Sequence, residues 1–195
     1  MNGVLRPALT VVGMATILCG LALPLGFTGV TQLAFPAQAN GSLVEREGRV
    51  IGSALIGQGF ADERYFHPRP SATVEADPDK PGSTRTVPYN AAASAASQAA
   101  PTSVALLETL RERVAAEGAA PVQADAVTAS ASGLDPHISP GNAARQVARV
   151  AAARGIAAER VQALVVRHTE GREWGLFGEP RVNVLRLNLD LDGLR

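Results

Sequence analysis

The sequence predicts a single N-terminal transmembrane α-helix followed by a mixed α+β soluble domain. Three observations carry this. No charged residue lies between Arg6 and Glu45. Beyond that gap, two segments carry helix caps around an apolar pattern of helical period. Short strand-like runs at 49–60 and 184–191 bracket the helical stretches, the arrangement of an α+β domain.

Residues 9–35 read LTVVGMATILCGLALPLGFTGVTQLAF. About 20 apolar residues cross a hydrocarbon core of ~30 Å, so this segment spans with tilt to spare. Pro24 should kink it locally, which membrane helices tolerate. Gly13, Gly20, Ala15 and Ala22 either form a small-residue face for another helix or are incidental. The alternative to an anchor is a cleaved signal peptide, because Ala37-Gln38-Ala39 has the A-x-A form. The apolar run exceeds a signal core, and Arg6 with the amino terminus makes a thin positive region, so we read an uncleaved anchor. Arg6 lies before the span, while Glu45, Arg46, Glu47 and Arg49 nearly cancel after it, which places the following domain outside the cytoplasm. The expected organisation is a short tail (1–8), a transmembrane helix (9–35) and an extracytoplasmic α+β domain (42–195), single-pass in the cell (inner) membrane.

In the domain, 49–60 reads as one or two short strands with turns. Residues 66–88, rich in Pro, Asp, Gly and Thr, read as a loop. The Ala/Ser run 91–100 fits a helix or an irregular wrap. Residues 103–116 predict a helix capped by Thr102 or Ser103 and stopped by Gly118, with Leu106, Leu107, Leu110 and Val114 on a buried face. Ser139 and Pro140 open another helix, which Gly155 ends. Its inner face is Ala143, Val147, Val150 and Ala151, and Arg145, Arg149 and Arg154 read as a solvated face. A third helix covers 158–166 with Leu164 and Val165 inward. At 184–191, Leu185, Leu187, Leu189 and Leu191 alternate with polar residues, which reads as a closing strand.

Composition excludes several classes. The 18 basic and 18 acidic residues cancel, and aromatics are 4% of the chain, so neither a nucleic-acid field nor a stacking platform is indicated. The single cysteine, Cys19, lies in the apolar segment, which rules out an intramolecular disulfide and argues against a thiol nucleophile. No phosphate-cradling glycine motif is present. The three histidines, His67, His137 and His168, stand singly. The segment TASASGLDPHIS at 128–139 places Asp135 near His137. Its Asp-Pro and Ser-Pro steps favour a shaped loop over a base. In YFHPRPSA at 65–72, two prolines fix an extended path, and Tyr65, Phe66 and Arg69 either face a partner or pack on the domain's own core.

Several blocks, in order, resemble the KdpC family, the small C subunit of the bacterial high-affinity potassium-transporting P-type ATPase. They are the N-terminal span, GSALIGQ at 52–58, YFHPRPSA at 65–72, Tyr89-Asn90, residues 130–139, and GEPRVNVL at 178–185. One block departs. Where the family usually shows Gly-Gly-Ser-Asn after Tyr-Asn, this chain has Ala95-Ala96-Ser97-Gln98, so a glycine-dependent backbone there must differ.

The resemblance implies a non-catalytic accessory subunit of an ATP-driven potassium uptake pump, needed for assembly and for raising the ATP affinity of the catalytic subunit. The implied partners are a channel-like potassium-binding subunit, an ATP-hydrolysing subunit and the lipid bilayer, with no nucleic acid. No cofactor is expected on this chain alone, and ATP is the one candidate, shared with the catalytic subunit. An outer domain would reach cytoplasmic ATP only by long-range coupling. The rival reading is a membrane-anchored module that holds nucleotide itself, with Gln98 and Arg or Ser side chains as contacts. The candidate docking or loop-shaping residues are Gln58, Tyr65, Arg69, Ser132, Gly133, Asp135, Pro136, His137, Arg181 and Asn183. No catalytic or metal-binding residue is nominated.

Overall fold

The computed structural model describes residues 2–118 and 121–194. The chain divides into two compact units, up to Ser53 and from Ala54 onward.

In the first unit, α1 (Asn2–Ile17) runs through a π turn (Leu18–Ala22) into α2 (Leu23–Ala34). Together they give one apolar helix, Gly3–Ala34, with a mean hydropathy of 2.1 and none of its residues buried. Its 32 residues reach about 48 Å, more than a bilayer core needs. The expected disturbance at Pro24 takes a specific form. Proline has no N–H to donate and its ring crowds the carbonyl four residues earlier, that of Gly20. The helix widens just there, and Leu23 N–H reaches back five residues to Leu18 C=O. Thr10 and Thr31 donate their hydroxyls to the carbonyls of Arg6 and Phe27, so neither presents a bare polar group to lipid. A short turn, α3 (Pro36–Ala39), contains the Ala-Gln-Ala sequence. A hairpin of β1 (Leu43–Arg46) and β2 (Arg49–Ser53) follows, turning through Glu47 and Gly48 at φ +53° and +75°.

The second unit is built on three helices. Ser139 caps α6 (Pro140–Arg154) by accepting from Asn142 N–H, and Gly155 closes it at φ +66°. α7 (Ala158–Arg167) and α8 (Val184–Asp192) pack with it. The sheet beside them has antiparallel strands in the order β5 (His137–Ile138), β7 (Arg181–Asn183), β6 (Thr169–Glu170). The core gathers Val147 and Val150 of α6, Val161 and Val165 of α7, Leu187 and Leu191 of α8, and Ile138 and Val182 of the sheet, sealed by Phe66. Leu164 and Val165 face inward as expected, and so do Ala143, Val147, Val150 and Ala151.

Four expectations are corrected. The closing strand is a helix, α8. Val184, Leu185, Leu187, Asn188 and Leu191 are buried, the helical spacing i, i+1, i+3, i+4, i+7. Alternating leucines fit a strand as well, and Asn188 passes for a solvent-facing residue until its buried bonds are seen. The loop at 66–88 contains a small hairpin, β3 (Val74–Ala76) with β4 (Thr84–Thr86). Helix α4 (Val104–Ala116) forms with Ser103 as its cap but buries no residue, since Leu107 and Val114 stay 47% and 41% exposed. Among the helices and strands of the described residues, the short α5 (Ala124–Val127) is its main neighbour. Finally, the α6 arginines are bound rather than solvated. Arg145 pairs with Glu117, Arg149 donates to the carbonyls of Glu63 and Tyr65, and Arg154 pairs with Asp192 at 2.8 Å.

Candidate functional site

The second unit's distinctive feature is an extended strap, residues 65–73, held by side chains rather than by a strand. Pro68 and Pro70 remove two main-chain donors, so a regular ladder is closed to it. Two buried amides replace the ladder. Asn188 of α8 accepts from Phe66 N–H and donates to Phe66 C=O, at 2.9 and 3.0 Å. Gln146 of α6 does the same for His67, at 2.7 and 3.1 Å. The amide chain continues from Gln146 to Asn142, then to Asp125, whose carboxylate also accepts from Ser139 N–H and hydroxyl. The strap is thereby tied to the helix layer through saturated polar groups.

From the strap, Arg69 reaches the loop at 128–139. Its Nη1 donates to Asp135 Oδ2 at 2.9 Å. The other oxygen, Asp135 Oδ1, accepts from His137 N–H at 3.0 Å and lies 3.2 Å from His137 Nδ1. Burial alone would raise the Asp135 carboxyl. Hydrogen bonds from His137 and Arg69, with the guanidinium's charge, outweigh it and hold the group below the usual carboxylate range. Tyr89 closes the far side by donating its hydroxyl to Arg69 C=O at 2.6 Å. Burial, then the Asp135 charge, push its phenol well up, partly offset by Arg69.

Two glycines let these pieces meet. A Cβ on Gly57 would collide with the Tyr89 ring, at 2.8 Å from Cδ1, and sit 2.9 Å from Asp135 C=O. Gly133, at φ +69°, lies so close to Ala95 C=O and Thr73 Cγ2 that a Cβ would stand 2.5 and 2.7 Å from them. Ser71 donates to Gly133 C=O, and Ser132 C=O accepts from Ala95 N–H and the Ser94 hydroxyl. The block that departs from the family pattern therefore packs directly on this loop. Its left-handed residue is Gln98, φ +51°, which lies exposed.

A shallow depression over this network is lined by Leu55, Ile56, Arg69, Ser130, Ser132 and Asp135. Both Asp135 oxygens are engaged, and Arg69 also reaches toward Thr128 and Ala129. Among the described residues, no group of three or more His, Cys, Asp or Glu is arranged to hold a metal ion. The arrangement fixes the shape of the loop at 128–139.

The family model described as K+-transporting ATPase, c chain, matches residues 5–193. The chain belongs to the KdpC family. It is 55% identical over 192 residues to the potassium-transporting ATPase KdpC subunit of Rhodopseudomonas palustris strain BisB5, covering 96% of each chain. It is 55% identical over 197 residues to the subunit of the same name from Sorangium cellulosum strain So ce56, covering 98% of each. It is 54% identical over 192 residues to that of Bradyrhizobium diazoefficiens, covering 96% of each.

In this KdpC chain, Arg69, Ser132, Gly133, Asp135, Pro136 and His137 come together around the loop, and His137 pairs with Asn183 across β5 and β7. Asn183 also caps α8 and donates to Ala54 C=O at 2.8 Å. Pro136 is buried, and its carbonyl receives Val184 N–H. Gln58 is half-buried beside Gly57. Tyr65 and Arg181 lie elsewhere. Tyr65 stands under the Arg154 guanidinium, 4.9 Å from ring centre to Cζ, and Arg181 pairs with Glu170 and Glu173. Sequence reasoning left out Gly57, Tyr89 and the strap-holding amides Gln146 and Asn188. The first two lie in or beside family blocks. The amides carried no signal, because a buried Asn or Gln reads as a polar surface residue.

Proposed function

We propose that this KdpC-family chain is a non-catalytic accessory subunit of an ATP-driven high-affinity potassium uptake pump. It assembles with a channel-like potassium-binding subunit and an ATP-hydrolysing subunit, and raises the ATP affinity of the latter. The helix Gly3–Ala34 is its membrane anchor, in the cell (inner) membrane, and the charge pattern around that helix favours an outer position for the second unit. The observation that carries the reading is the full-length family match, joined to a site whose central carboxylate, Asp135, is already held by Arg69 and His137. An outer domain acts on cytoplasmic ATP only as a coupling between distant sites.

The test is purification in mild detergent through a tag placed after Arg195, from native membranes under potassium starvation. Recovery of both larger subunits, with potassium-stimulated hydrolysis whose apparent KM for ATP rises when this chain is stripped away, is the expected result. Recovery of this chain alone, while the pump is intact in the same membranes, overturns it.

A further inference from the structure

Between Thr169–Glu170 and Arg181–Asn183 the chain makes a hairpin that projects three apolar side chains. Glu173 and Phe177 exchange both main-chain hydrogen bonds, at 2.9 and 3.0 Å. Trp174 and Gly175 turn the corner at φ +53° and +74°, closed by Leu176 N–H to Glu173 C=O at 3.1 Å. Left-handed backbone is natural for Gly175 but unfavourable for a bulky residue such as Trp174. The turn holds the chain's one tryptophan at its tip, 89% exposed, beside Leu176 and Phe177 at 74% and 60%. The Trp174 and Phe177 rings meet edge to face, with centroids 6.0 Å apart. By the usual size of such side chains they present on the order of 400 Å² of apolar surface, the scale at which a patch marks an interaction site.

The base of the hairpin says what covers it. Arg172 grips Glu179 with two hydrogen bonds, and Arg181 bridges Glu170 and Glu173. Three carboxylates thus face two guanidiniums, and both guanidiniums are engaged. An anionic lipid surface attracts unpaired cations and would be repelled by this rim. A protein pocket with an apolar floor and basic edges complements it, with Glu173 and Glu179 (67% and 77% exposed) left to meet those edges. The edge-to-face rings and doubly hydrogen-bonded base give a fixed shape that loses little freedom on docking.

We propose that this hairpin is a docking knob: Trp174, Leu176 and Phe177 seat in an apolar, basic-rimmed pocket on an extramembrane surface of a fellow pump subunit. This rests on the accessory-subunit reading above. The test places p-benzoyl-phenylalanine at position 174 or 177 of the full-length tagged chain, illuminates native membranes, and compares adducts with those from position 79, in an exposed turn elsewhere. A covalent adduct to a pump subunit, at least about tenfold above the position-79 control, is expected. Lipid adducts only, or none above control, from membranes that yield the intact complex, overturn the knob and leave the accessory role standing. Absence of any co-purifying subunit overturns both. As a second reading, Trp174→Ser combined with Phe177→Ser should weaken association at least about tenfold with an unchanged thermal midpoint, since both side chains are exposed. Unchanged association overturns the proposal.

Discussion

Asn188 holds the main chain of Phe66 from both sides, accepting its N–H at 2.9 Å and donating to its C=O at 3.0 Å. One amide does the work of a neighbouring strand, because only a group with donor and acceptor together can satisfy both atoms of one peptide residue. Phe66, fully buried, is thereby fixed in the core. Asn188→Ala strands two buried main-chain groups and should cost about 2–4 kcal/mol. Asn188→Asp should not rescue it, since it loses the donor and buries a charge. Urea unfolding of the detergent-solubilised chain measures both. A wild-type midpoint for Asn188→Ala would contradict this account of the strap.

Gly57→Ala should destabilise by about 1–3 kcal/mol, because the new methyl meets the Tyr89 ring and Asp135 C=O with no space to share. The two obstacles are separable. Tyr89→Ala in the same chain removes the ring but leaves the carbonyl 2.9 Å away, so the double variant should recover part of the loss beyond additivity. Tyr89→Phe, which keeps the ring and gives up only the bond to Arg69 C=O, should cost about 1 kcal/mol and recover nothing. Thermal midpoints of the native chain, each single variant and each double variant close the two cycles.

Arg154 is the most tightly held of the α6 arginines. Its side chain is 7% exposed, pairs with Asp192, donates to Arg64 and Leu191 carbonyls and lies over Tyr65. Arg154→Met takes the guanidinium away from Asp192 and from the Arg64 carbonyl, and should cost about 2–4 kcal/mol. Arg154→Lys should recover little, because a single ammonium cannot fill a planar fork. Arg167→Ala is the control, since its exposed pair with Asp190 at 3.9 Å contributes little.

What was legible in the sequence is what local physics controls. Ser139, Pro140 and Gly155 announce α6 because caps act within one turn, and the apolar length of Gly3–Ala34 announces a span. Pairings between distant residues were not legible. Arg145, Arg149 and Arg154 lie along α6 like a solvated stripe, and their partners come from distant segments: Glu117 for Arg145, the 63–65 main chain for Arg149 and Arg154, and Asp192 for Arg154. The leucine alternation before Asp192 carries two periods at once, and the cap by Asn183 decides for helix. At the candidate site, the proximity of Asp135 and His137 was readable, being two residues apart. The third member, Arg69, is 66 residues away. Trp174 was readable as the only tryptophan, but its exposure follows from a left-handed turn that no local rule assigns to tryptophan.

The last prediction concerns Asp135 and acid. Folding holds this carboxyl below its ordinary value of 3.8, through His137 and Arg69 against the cost of burial. The folded state therefore binds its proton less readily than the unfolded chain. The stability so gained is complete above about pH 4 and is lost as pH falls through the lowered native value. Asp135→Asn removes that dependence: the variant should be less stable than the native chain near neutrality by about 1–3 kcal/mol, the worth of charge-assisted bonds at a half-buried group. The gap should close as pH drops below 4. If Asp135 also shapes a docking surface, Asp135→Ala should weaken recovery of partner subunits at pH 7 without changing turnover per assembled complex. Unfolding midpoints between pH 2.5 and 7, read beside co-purification yields, separate the two roles: a gap that stays constant with pH would refute the ionised pairing, and an undiminished yield would refute the docking role.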